Sequence, residues 1–574
     1  MSLGQDFTDD KSAGSSHVQR IDDLPHITPT NQQDEVPPPP TPTTLLGLDR
    51  KKMEQERLER LKKRKADTML GPSGDSNPAE RVPPAQRPKL TSRQPTGHVQ
   101  SPTKPKEAAR LQATNDRCSS TAPNSAPLAY RKGVVLKTWA QGVRRDSDIK
   151  IEEVFQKDEL QLAVLSSFQW DEEWLMSKLN MKQTKVILIA YAKDEEQKTA
   201  MRNNTPSNLI RFVFPPMGGA VGCMHSKLQL LKYPKSLRIV VPTGNLVSYD
   251  WGEGGIMENM VFLIDLPRLE NPAERPENTL TPFGEDLCYF LRAQGVDENI
   301  IQSLLRYDFS ETARFGFVHT IAGSHSEPGA WSKTGYCGLG RSVASLGLAS
   351  TDANELHYIC SSIGAVNRDL LSALYNACQG DDGLKEYEDR TAKPKKGKAF
   401  LPNMDSVDST RFRVYFPSRE TVARSQGGRN SAGTICFQKK WWNLPTFPRE
   451  ILRDSKNVRP GPLLHTKMII VQRVAAGTDG SRLGWAYVGS HNLSESAWGR
   501  LVKNRTTGQP KLTARNWECG VLVLSSNAAS QASGTGSNVA DMKGVFDGTI
   551  PIPIELPGQP YDDNSREPWF NGQG

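Results

Sequence analysis

Hydrophobic positions are concentrated in the last three quarters of the chain, where apolar blocks of strand length alternate with amphipathic blocks of helix length. Runs rich in apolar residues predict buried strands at 185–191, 237–241 and 517–524. Between such runs, apolar residues recur at helical spacing, for example at 285–294 and 367–378. This alternation predicts an α/β protein in which helices cover mostly buried sheets.

Residues 1–130 have a different pattern, with few apolar side chains and many Pro, Ser, Thr and charged residues. Such a segment buries too little apolar area to offset its ordering entropy, so we expect a disordered tail. Two basic clusters within it, at 50–52 and 62–65, have the spacing of a bipartite nuclear-import signal. A solvated, transiently helical linker is the alternative. The import interpretation predicts a nuclear protein.

Composition narrows the class of protein. The chain has 574 residues, 36% of them apolar, which is enough for two or three domains. Its net charge of +8 favours an anionic partner such as nucleic acid, although many intracellular proteins are basic. The sequence has no apolar run of transmembrane length, and its polar N-terminus does not resemble a secretory signal. The eight cysteines are scattered without zinc spacing, which predicts reduced thiols.

The candidate chemistry lies in a loose internal repeat. Each copy has a His-x-Lys segment, then a predicted strand, then a turn with Asn-Leu. The repeated polar residues are His225, Lys227 and Asn245 in the first copy, and His465, Lys467 and Asn492 in the second. One His-x-Lys match carries little information, but two copies with the same downstream order are rarely accidental.

Strand geometry suggests how each copy works. Residues two apart on a strand point to the same face, so each His and its Lys should share a face. Two such strands at a domain interface would place two imidazoles and two ammonium groups around one phosphate. Asn492 precedes a segment that is predicted to open a helix. Its side chain is expected either to cap that helix or to donate to an anion there.

These residue types can cleave a phosphodiester. One neutral imidazole can attack phosphorus and form a covalent intermediate, while the other protonates the leaving oxygen and then activates water. Lysines and asparagines can direct positive charge and N–H donors at the phosphoryl oxygens. No cluster with metal-ligand spacing accompanies the repeat, so no metal and no cofactor are expected.

The two copies resemble the phospholipase D superfamily, whose usual pattern is His-x-Lys-x4-Asp with Gly-Ser-x-x-Asn downstream. Lys232 and Gln472 stand at the Asp positions here. Loss of both Asp residues is similar to the tyrosyl-DNA phosphodiesterase family of that superfamily. Agreement over residues 140–574 extends to Pro242-Thr-Gly-Asn-Leu, Asp250-Trp251, Cys360-Ser-Ser-Ile-Gly, Gly489-Ser-His-Asn-Leu-Ser-Glu-Ser-Ala-Trp-Gly and Trp517-Glu-Cys-Gly-Val.

The resemblance assigns roles to these residues. It implies that His225 is the nucleophile and that His465 is the general acid and base. It implies that the phosphate is held by Lys227, Lys467, Asn245 and Asn492. Glu518 matches an acidic residue that supports a catalytic histidine, and a carboxylate there would fix the imidazole tautomer. Glu258 is expected to be its counterpart in the first half, and a solvated loop carboxylate is the alternative.

The resemblance also implies contacts with DNA. Ser362 matches a position that contacts the DNA backbone, and an ordinary loop serine is the alternative. An aromatic residue that stacks on a base in the family has no match before His225, where Val221-Gly-Cys-Met stands. Lys439-Lys440-Trp441-Trp442 mixes basic and aromatic residues as single-strand binders do. A partly buried Trp pair is equally compatible with that segment.

The expected fold is therefore a pair of similar phospholipase D-like α/β domains, 131–320 and 321–574, with pseudo-twofold symmetry and both half-sites in the cleft. The expected reaction is hydrolysis of the 3′-phosphotyrosyl bond between DNA and a stalled topoisomerase I. The expected partners are DNA 3′ ends and the tyrosyl peptide, and a nuclear monomer without membrane association is expected. The alternatives are a phosphodiesterase that acts on lipids and an inactive protein that binds DNA ends.

Overall fold

The computed structural model of the protein describes residues 128–218, 222–271, 278–327, 329–392, 410–473, 483–525, 539–561 and 566–571. The predicted tail at 1–130, including both basic clusters, lies outside the described residues except for its last three positions. The prediction of a disordered tail and the prediction of an import signal therefore stay predictions.

Strands dominate the described part of the chain. They are, in chain order, β1 (Val134–Thr138), β2 (Asp148–Ile149), β3 (Leu162–Ser166), β4 (Lys185–Ile189), β5 (Ile210–Val213), β6 (Cys223–Met224), β7 (Gln229–Lys232), β8 (Ser236–Pro242), β9 (Met257–Glu258), β10 (Met260–Pro267), β11 (Phe315–Thr320), β12 (Gly323–His325), β13 (Asn354–Ile359), β14 (Ser362–Ile363), β15 (Phe412–Phe416), β16 (Cys436–Phe437), β17 (Leu452–Asp454), β18 (Leu463–Leu464), β19 (Met468–Arg473), β20 (Gly484–Gly489), β21 (Arg500–Lys503), β22 (Pro510–Ala514) and β23 (Asn516–Leu524). The α-helices span Ile151–Phe155, Glu172–Ser177, Glu195–Asn203, Pro282–Gln294, Glu298–Gln302, Gly335–Ser345, Arg368–Cys378, Leu384–Thr391, Arg419–Arg424, Lys439–Trp442, Glu495–Trp498 and Val539–Phe546.

Two large sheets repeat one topology. The first has the order β2-β1-β10-β8-β7-β3-β4-β5, and the second has the order β11-β23-β20-β19-β13-β15-β17, with β6 added against β23. From β1 and from β11 onward, the first four neighbouring pairs in each sheet are antiparallel. The last two pairs in each sheet are parallel. The predicted fold class, two similar α/β domains, is confirmed.

The central strands are buried on both faces, which explains why most of their residues are apolar. On β8, Ile239 and Val241 pack into one core cluster, whereas Val240 packs into another on the opposite face. The cluster that contains Ile239 also contains Ile470 and Val521 from the second sheet. The two sheets therefore share one apolar core.

The long predicted helices are confirmed, and their ends follow local sequence. Pro282–Gln294 begins after Thr281, whose hydroxyl accepts the Gly284 N–H, and it ends at Gly295 in the left-handed conformation. Arg368–Cys378 begins after Asn367, whose side chain accepts the Leu370 N–H.

Two short strand pairs join the halves of the molecule. β6 pairs with β23, and β9 pairs with β18. β11 also bears on the predicted domain boundary, because it ends at residue 320 and yet pairs with β23 of the second sheet. The boundary between residues 320 and 321 stays a prediction, and this pairing favours a division before Phe315.

No α-helix within the described ranges is both long and apolar enough to cross a bilayer. The same ranges contain no group of three or more His, Cys, Asp or Glu side chains arranged for a metal ion. The cysteines of the described part of the chain are all unpaired thiols, as the sequence predicts for them.

Candidate active site

Each His-x-Lys segment lies in a break between two strands. His225 and Lys227 follow β6 and precede β7, and His465 and Lys467 follow β18 and precede β19. The prediction that each pair lies on one regular strand is therefore corrected. The short strand before each break pairs with the opposite half, whereas the strand after it belongs to its own sheet.

The backbone of each histidine is hydrogen-bonded to the opposite half of the molecule. The His225 N–H donates to the Trp517 carbonyl at 3.0 Å, and the His465 N–H donates to the Glu258 carbonyl at 3.0 Å. Both half-sites therefore meet at the interface between the domains, as the sequence predicts.

Each imidazole is also held by a carboxylate from the opposite half. His225 Nδ1 lies 2.8 Å from Glu518 Oε2, and His465 Nδ1 lies 3.1 Å from the Asp250 carboxylate. A carboxylate accepts hydrogen bonds, so Nδ1 carries the proton in each ring and Nε2 is left for chemistry. The geometry agrees with the supporting role expected of Glu518.

The two carboxylates have further partners that fix their positions. Glu518 accepts hydrogen bonds from the Ser490 hydroxyl and, at 2.9 Å, from the side-chain amide of Asn516. Asp250 accepts the Asn245 N–H at 2.7 Å and the side-chain amide of Asn259 at 3.3 Å. Networks of this kind limit rotation of the imidazoles.

The role expected of Glu258 is corrected. Its side chain forms an ion pair with Arg459, at 2.6 Å between Oε2 and Nε, and only its backbone carbonyl contacts His465. The alternative of a solvated carboxylate is also wrong, because Glu258 is fully buried. Burial raises the pKa of Glu258, although the charge of Arg459 opposes that shift.

Asp250 is the site residue that sequence reasoning missed. It lies in a short 3-10 turn, Ser248–Trp251, five positions after Asn245, whereas Glu518 lies on a strand. The Asp250-Trp251 pair was already visible as part of the family resemblance. Glu518 and Asp250 lie on different kinds of element, so their positions relative to the His-x-Lys segments do not match. A comparison of spacing between the two halves therefore does not identify Asp250.

The two lysines are buried and point back along their own segments. Lys227 Nζ donates to the His225 carbonyl at 2.8 Å, and Lys467 Nζ likewise donates to the His465 carbonyl. Burial lowers the pKa of both ammonium groups, and the charge of Glu518 opposes the shift of Lys227. Two cations and two carboxylates thus surround the imidazoles.

Both histidines have a lowered pKa. Burial lowers the pKa of His465 to about 4, although Asp250 opposes the shift. Burial also lowers the pKa of His225 against the effect of Glu518. The lysine of the other half lowers each pKa further. Lys467 lowers the pKa of His225, and Lys227 lowers the pKa of His465. At neutral pH both imidazoles are therefore neutral in the free enzyme.

The two asparagines have fixed amide orientations. Asn245 Oδ1 accepts the Gln169 N–H at 3.4 Å, and Asn492 Oδ1 accepts the Ser362 N–H at 3.0 Å. Because the oxygen takes these backbone donors, the NH₂ group of each side chain is the one available to a phosphoryl oxygen. Ser494 caps the helix Glu495–Trp498, so the capping alternative for Asn492 is wrong. Ser362 lies beside Asn492, and its contact with DNA stays a prediction.

The aromatic residues differ from the expectation. Trp441 and Trp442 are half-buried against the core, and Lys440 Nζ lies 4.6 Å from the centre of the Trp441 ring. That geometry agrees with the alternative of a partly buried Trp pair. An aromatic residue beside His225 does exist, but it comes from the loop after β3. Phe168 is 47% exposed, and its ring centroid is 5.3 Å from that of His225.

Two repeated α/β domains that each contribute His, Lys and Asn, with exchanged carboxylates, define a phosphodiesterase of the phospholipase D type. The family model described as "Tyrosyl-DNA phosphodiesterase" matches residues 134–562. The chain belongs to the tyrosyl-DNA phosphodiesterase family. The predicted family and the predicted enzyme class, a DNA-repair phosphodiesterase, are confirmed.

Two similar proteins illustrate how far the likeness extends. Tyrosyl-DNA phosphodiesterase 1 of Arabidopsis thaliana is 23% identical over 491 residues, which cover 76% of this chain and 73% of that protein. The crystal structure of the yeast tyrosyl-DNA phosphodiesterase has a TM-score of 0.51 and 17% identity, covering 76% of this chain and 100% of that one. At that identity, the structural likeness supports the fold alone.

Proposed function

We propose that this enzyme hydrolyses the 3′-phosphotyrosyl bond between DNA and the peptide of a stalled topoisomerase I, through a covalent phosphohistidine. The observation that carries the proposal is the exchange of carboxylates, because it leaves one Nε2 on each of two opposed imidazoles. Two such nitrogens provide a nucleophile and a proton donor for a single phosphorus. The products are DNA with a 3′-phosphate and a free tyrosyl peptide.

In the first step, His225 Nε2 attacks phosphorus while the tyrosyl oxygen departs. The phosphorylated ring keeps its Nδ1 proton and becomes cationic, and the neighbouring Glu518 carboxylate stabilises that charge. His465 starts the step protonated and gives its Nε2 proton to the departing oxygen. The negative charge of the bound phosphodiester raises the pKa of His465 against the effect of burial, so His465 takes up this proton from solvent when the substrate binds.

In the second step, His465 is neutral and takes a proton from water as the water oxygen attacks phosphorus. The bond between phosphorus and His225 Nε2 breaks, and the ring leaves as the neutral imidazole. His465 is then protonated again, so the cycle closes without another acid or base. Lys227, Lys467, Asn245 and Asn492 hold the phosphoryl oxygens in both steps.

A gel assay on an oligonucleotide with a 3′-phosphotyrosine tests the proposal. We expect conversion to the 3′-phosphate product, together with no release of headgroups from phospholipid vesicles under the same conditions. Headgroup release without cleavage of the oligonucleotide would favour the lipid alternative. Binding of the oligonucleotide without any turnover would favour the inactive end-binding alternative.

We propose further that the enzyme acts as a nuclear monomer and that Ser362 contacts the DNA backbone. The basic clusters at 50–52 and 62–65 support nuclear import. Deletion of residues 1–130 should leave turnover within a few-fold and reduce nuclear accumulation of a fluorescent fusion. Unfolding of the truncated protein would contradict the assignment of this segment as a tail.

A further inference from the structure

A β-hairpin lies beside the candidate active site. Its strands, β21 and β22, pair antiparallel, and β12 pairs with the base of β22. Buried Leu501 and Leu512 anchor that base in the core. β22 leads into β23, which carries Glu518. The carbonyl of Arg515, between the two strands, accepts the N–H of Cys223 at 3.2 Å, two positions before His225.

The hairpin is basic and has no acidic residue. The segment 499–516 contains five cations and neither Asp nor Glu, the cations being Arg500, Lys503, Arg505, Lys511 and Arg515. Arg500 forms ion pairs with Glu495 and Asp369 at the base. None of the other four forms an ion pair with a carboxylate of the described residues. Three of these four are exposed and Lys511 is half-buried.

The tip of the hairpin is ordered by its own hydrogen bonds. Asn504 Oδ1 accepts the N–H of Thr506 at 2.9 Å, and the Asn504 carbonyl accepts the N–H of Gly508 at 2.8 Å. Gly508 has φ +73°, a left-handed conformation that a residue with a side chain rarely adopts. The cations therefore lie on a hairpin whose tip is ordered by backbone and side-chain hydrogen bonds.

We propose that this hairpin binds the phosphate backbone of the DNA strand leading away from the reacting 3′ end. The inference rests on the proposed function, which supplies the DNA. Phosphates are the partner because unpaired cations bind them with release of counterions. A strand rises about 3.3 Å per residue, so the extended part of the hairpin, from Arg515 to Pro510 opposite Lys503, spans roughly 16 Å. One DNA strand advances about 3.4 Å per nucleotide, so the hairpin can follow roughly five nucleotides.

The test removes the charge and varies the length of the substrate. The binding constant K of a long 3′-phosphate oligonucleotide is measured against salt concentration for Lys503→Ala/Arg505→Ala/Lys511→Ala. Each lost phosphate contact should reduce the slope of log K against log salt by about 0.7, so the triple variant should reduce it by about 2. The kcat/KM for a long 3′-tyrosyl oligonucleotide should fall about tenfold. Turnover of a mononucleotide 3′-aryl phosphodiester should stay within about twofold, since that substrate does not reach the hairpin.

Three further variants keep the result interpretable. Lys157→Ala/Lys182→Ala/Lys185→Ala removes equal charge from exposed positions of the first domain and should leave the salt slope unchanged. The exchange Lys503→Arg/Arg505→Lys/Lys511→Arg keeps the charge and should keep the slope. Arg505→Ala alone, at an exposed position, should give about a third of the triple effect.

An unchanged slope in the alanine triple overturns the proposal, and so does an equal drop in the first-domain control or in the charge-keeping exchange. Failure of the unaltered enzyme to cleave any 3′-aryl phosphodiester would instead overturn the proposed function. The salt slope of binding would still decide the role of the hairpin in that case.

Discussion

The two half-sites share a strand topology but obtain their carboxylates from different elements. Glu518, which serves His225, lies within β23 and is braced by the side chains of Ser490 and Asn516. Asp250, which serves His465, lies in a short turn. The repeated sheet order therefore fixes where the histidines lie, whereas the supporting carboxylate comes from the opposite half and from a different kind of element in each case.

This difference matches the unequal demands of the two proposed roles. A nucleophile that becomes a phosphorylated cation gains from a rigid counter-ion, which a carboxylate on a central strand provides. An acid and base must change protonation twice in one cycle, and its pKa depends on the charge that the substrate brings. Five measurements test whether the two half-sites are specialised in this way.

The largest effect is expected from the histidines themselves. His225→Ala should abolish the covalent species and turnover, whereas His465→Asn should slow the second step more than the first. Tyrosine has a pKa of about 10 and leaves fairly well without an acid, but water needs its base, at a cost of about 10²–10⁴-fold. His465→Asn should thus accumulate a denaturation-resistant DNA adduct on a gel. The double variant His225→Ala/His465→Asn should lack that band. An adduct that forms only when His465 is present would show that the two histidines have the opposite roles.

The carboxylates should separate the same two steps with a smaller effect. Glu518→Gln should slow adduct formation, and Asp250→Asn should slow adduct breakdown, each by about 10²-fold, because a neutral partner no longer fixes the tautomer. Single-turnover kinetics on the 3′-tyrosyl oligonucleotide resolves the steps. Equal slowing of both steps in both variants would show that the half-sites are not specialised.

The free energy of unfolding should decrease as the pH is lowered, because the histidines are buried in the neutral state. His465 has an unfolded pKa of about 6.5 and a folded pKa of about 4. Between these values the unfolded chain binds more protons, so the free energy of unfolding decreases as pH falls. For His465 the full difference is about 3 kcal/mol. Denaturant titrations of the enzyme and of His465→Gln should show a flatter pH dependence in the variant. Identical curves would contradict a neutral buried His465.

Glu258 should behave as a structural residue. Glu258→Gln removes one charge from the buried pair with Arg459, and Asp148, at 3.0 Å from Arg459, remains as a partner. We expect a loss of about 2 kcal/mol in the free energy of unfolding. No adduct should accumulate, unlike in Asp250→Asn. Trapping of DNA by Glu258→Gln would restore Glu258 to the catalytic role that the sequence suggested.

The smallest effect is expected from chelation. Lys227 and Lys467 already place positive charge at the site for the phosphoryl oxygens. Cleavage should persist within about twofold in excess EDTA, measured with the same gel assay. Loss of activity that Mg²⁺ restores would refute the mechanism in both half-sites at once.

The sequence predicted those features that depend on regular periodicity or on repetition. The apolar run of β8 and most of the helix Pro282–Gln294 followed from burial on two faces and from helical spacing, whereas the first turn of that helix did not. The six repeated polar residues were found because each copy keeps the same order along the chain. Their convergence needed only a domain interface.

Other features depend on long-range pairing, which no local pattern records. The strand breaks at His225 and His465 arise because β6 and β18 pair with the opposite half. Asp250 rather than Glu258 reaches His465 because a turn brings its carboxylate there. Phe168 reaches His225 from a loop far away in sequence. Each contact is set by the tertiary arrangement and not by spacing.

The exchange of carboxylates has a consequence for how such an enzyme changes over time. A substitution at Glu518 acts on His225, the proposed nucleophile of the other half, and a substitution at Asp250 acts on His465, the proposed acid and base of the other half. Neither half can therefore be inherited, recombined or replaced as a working unit. Although the chain repeats one topology, we expect its two halves to be selected together and not separately.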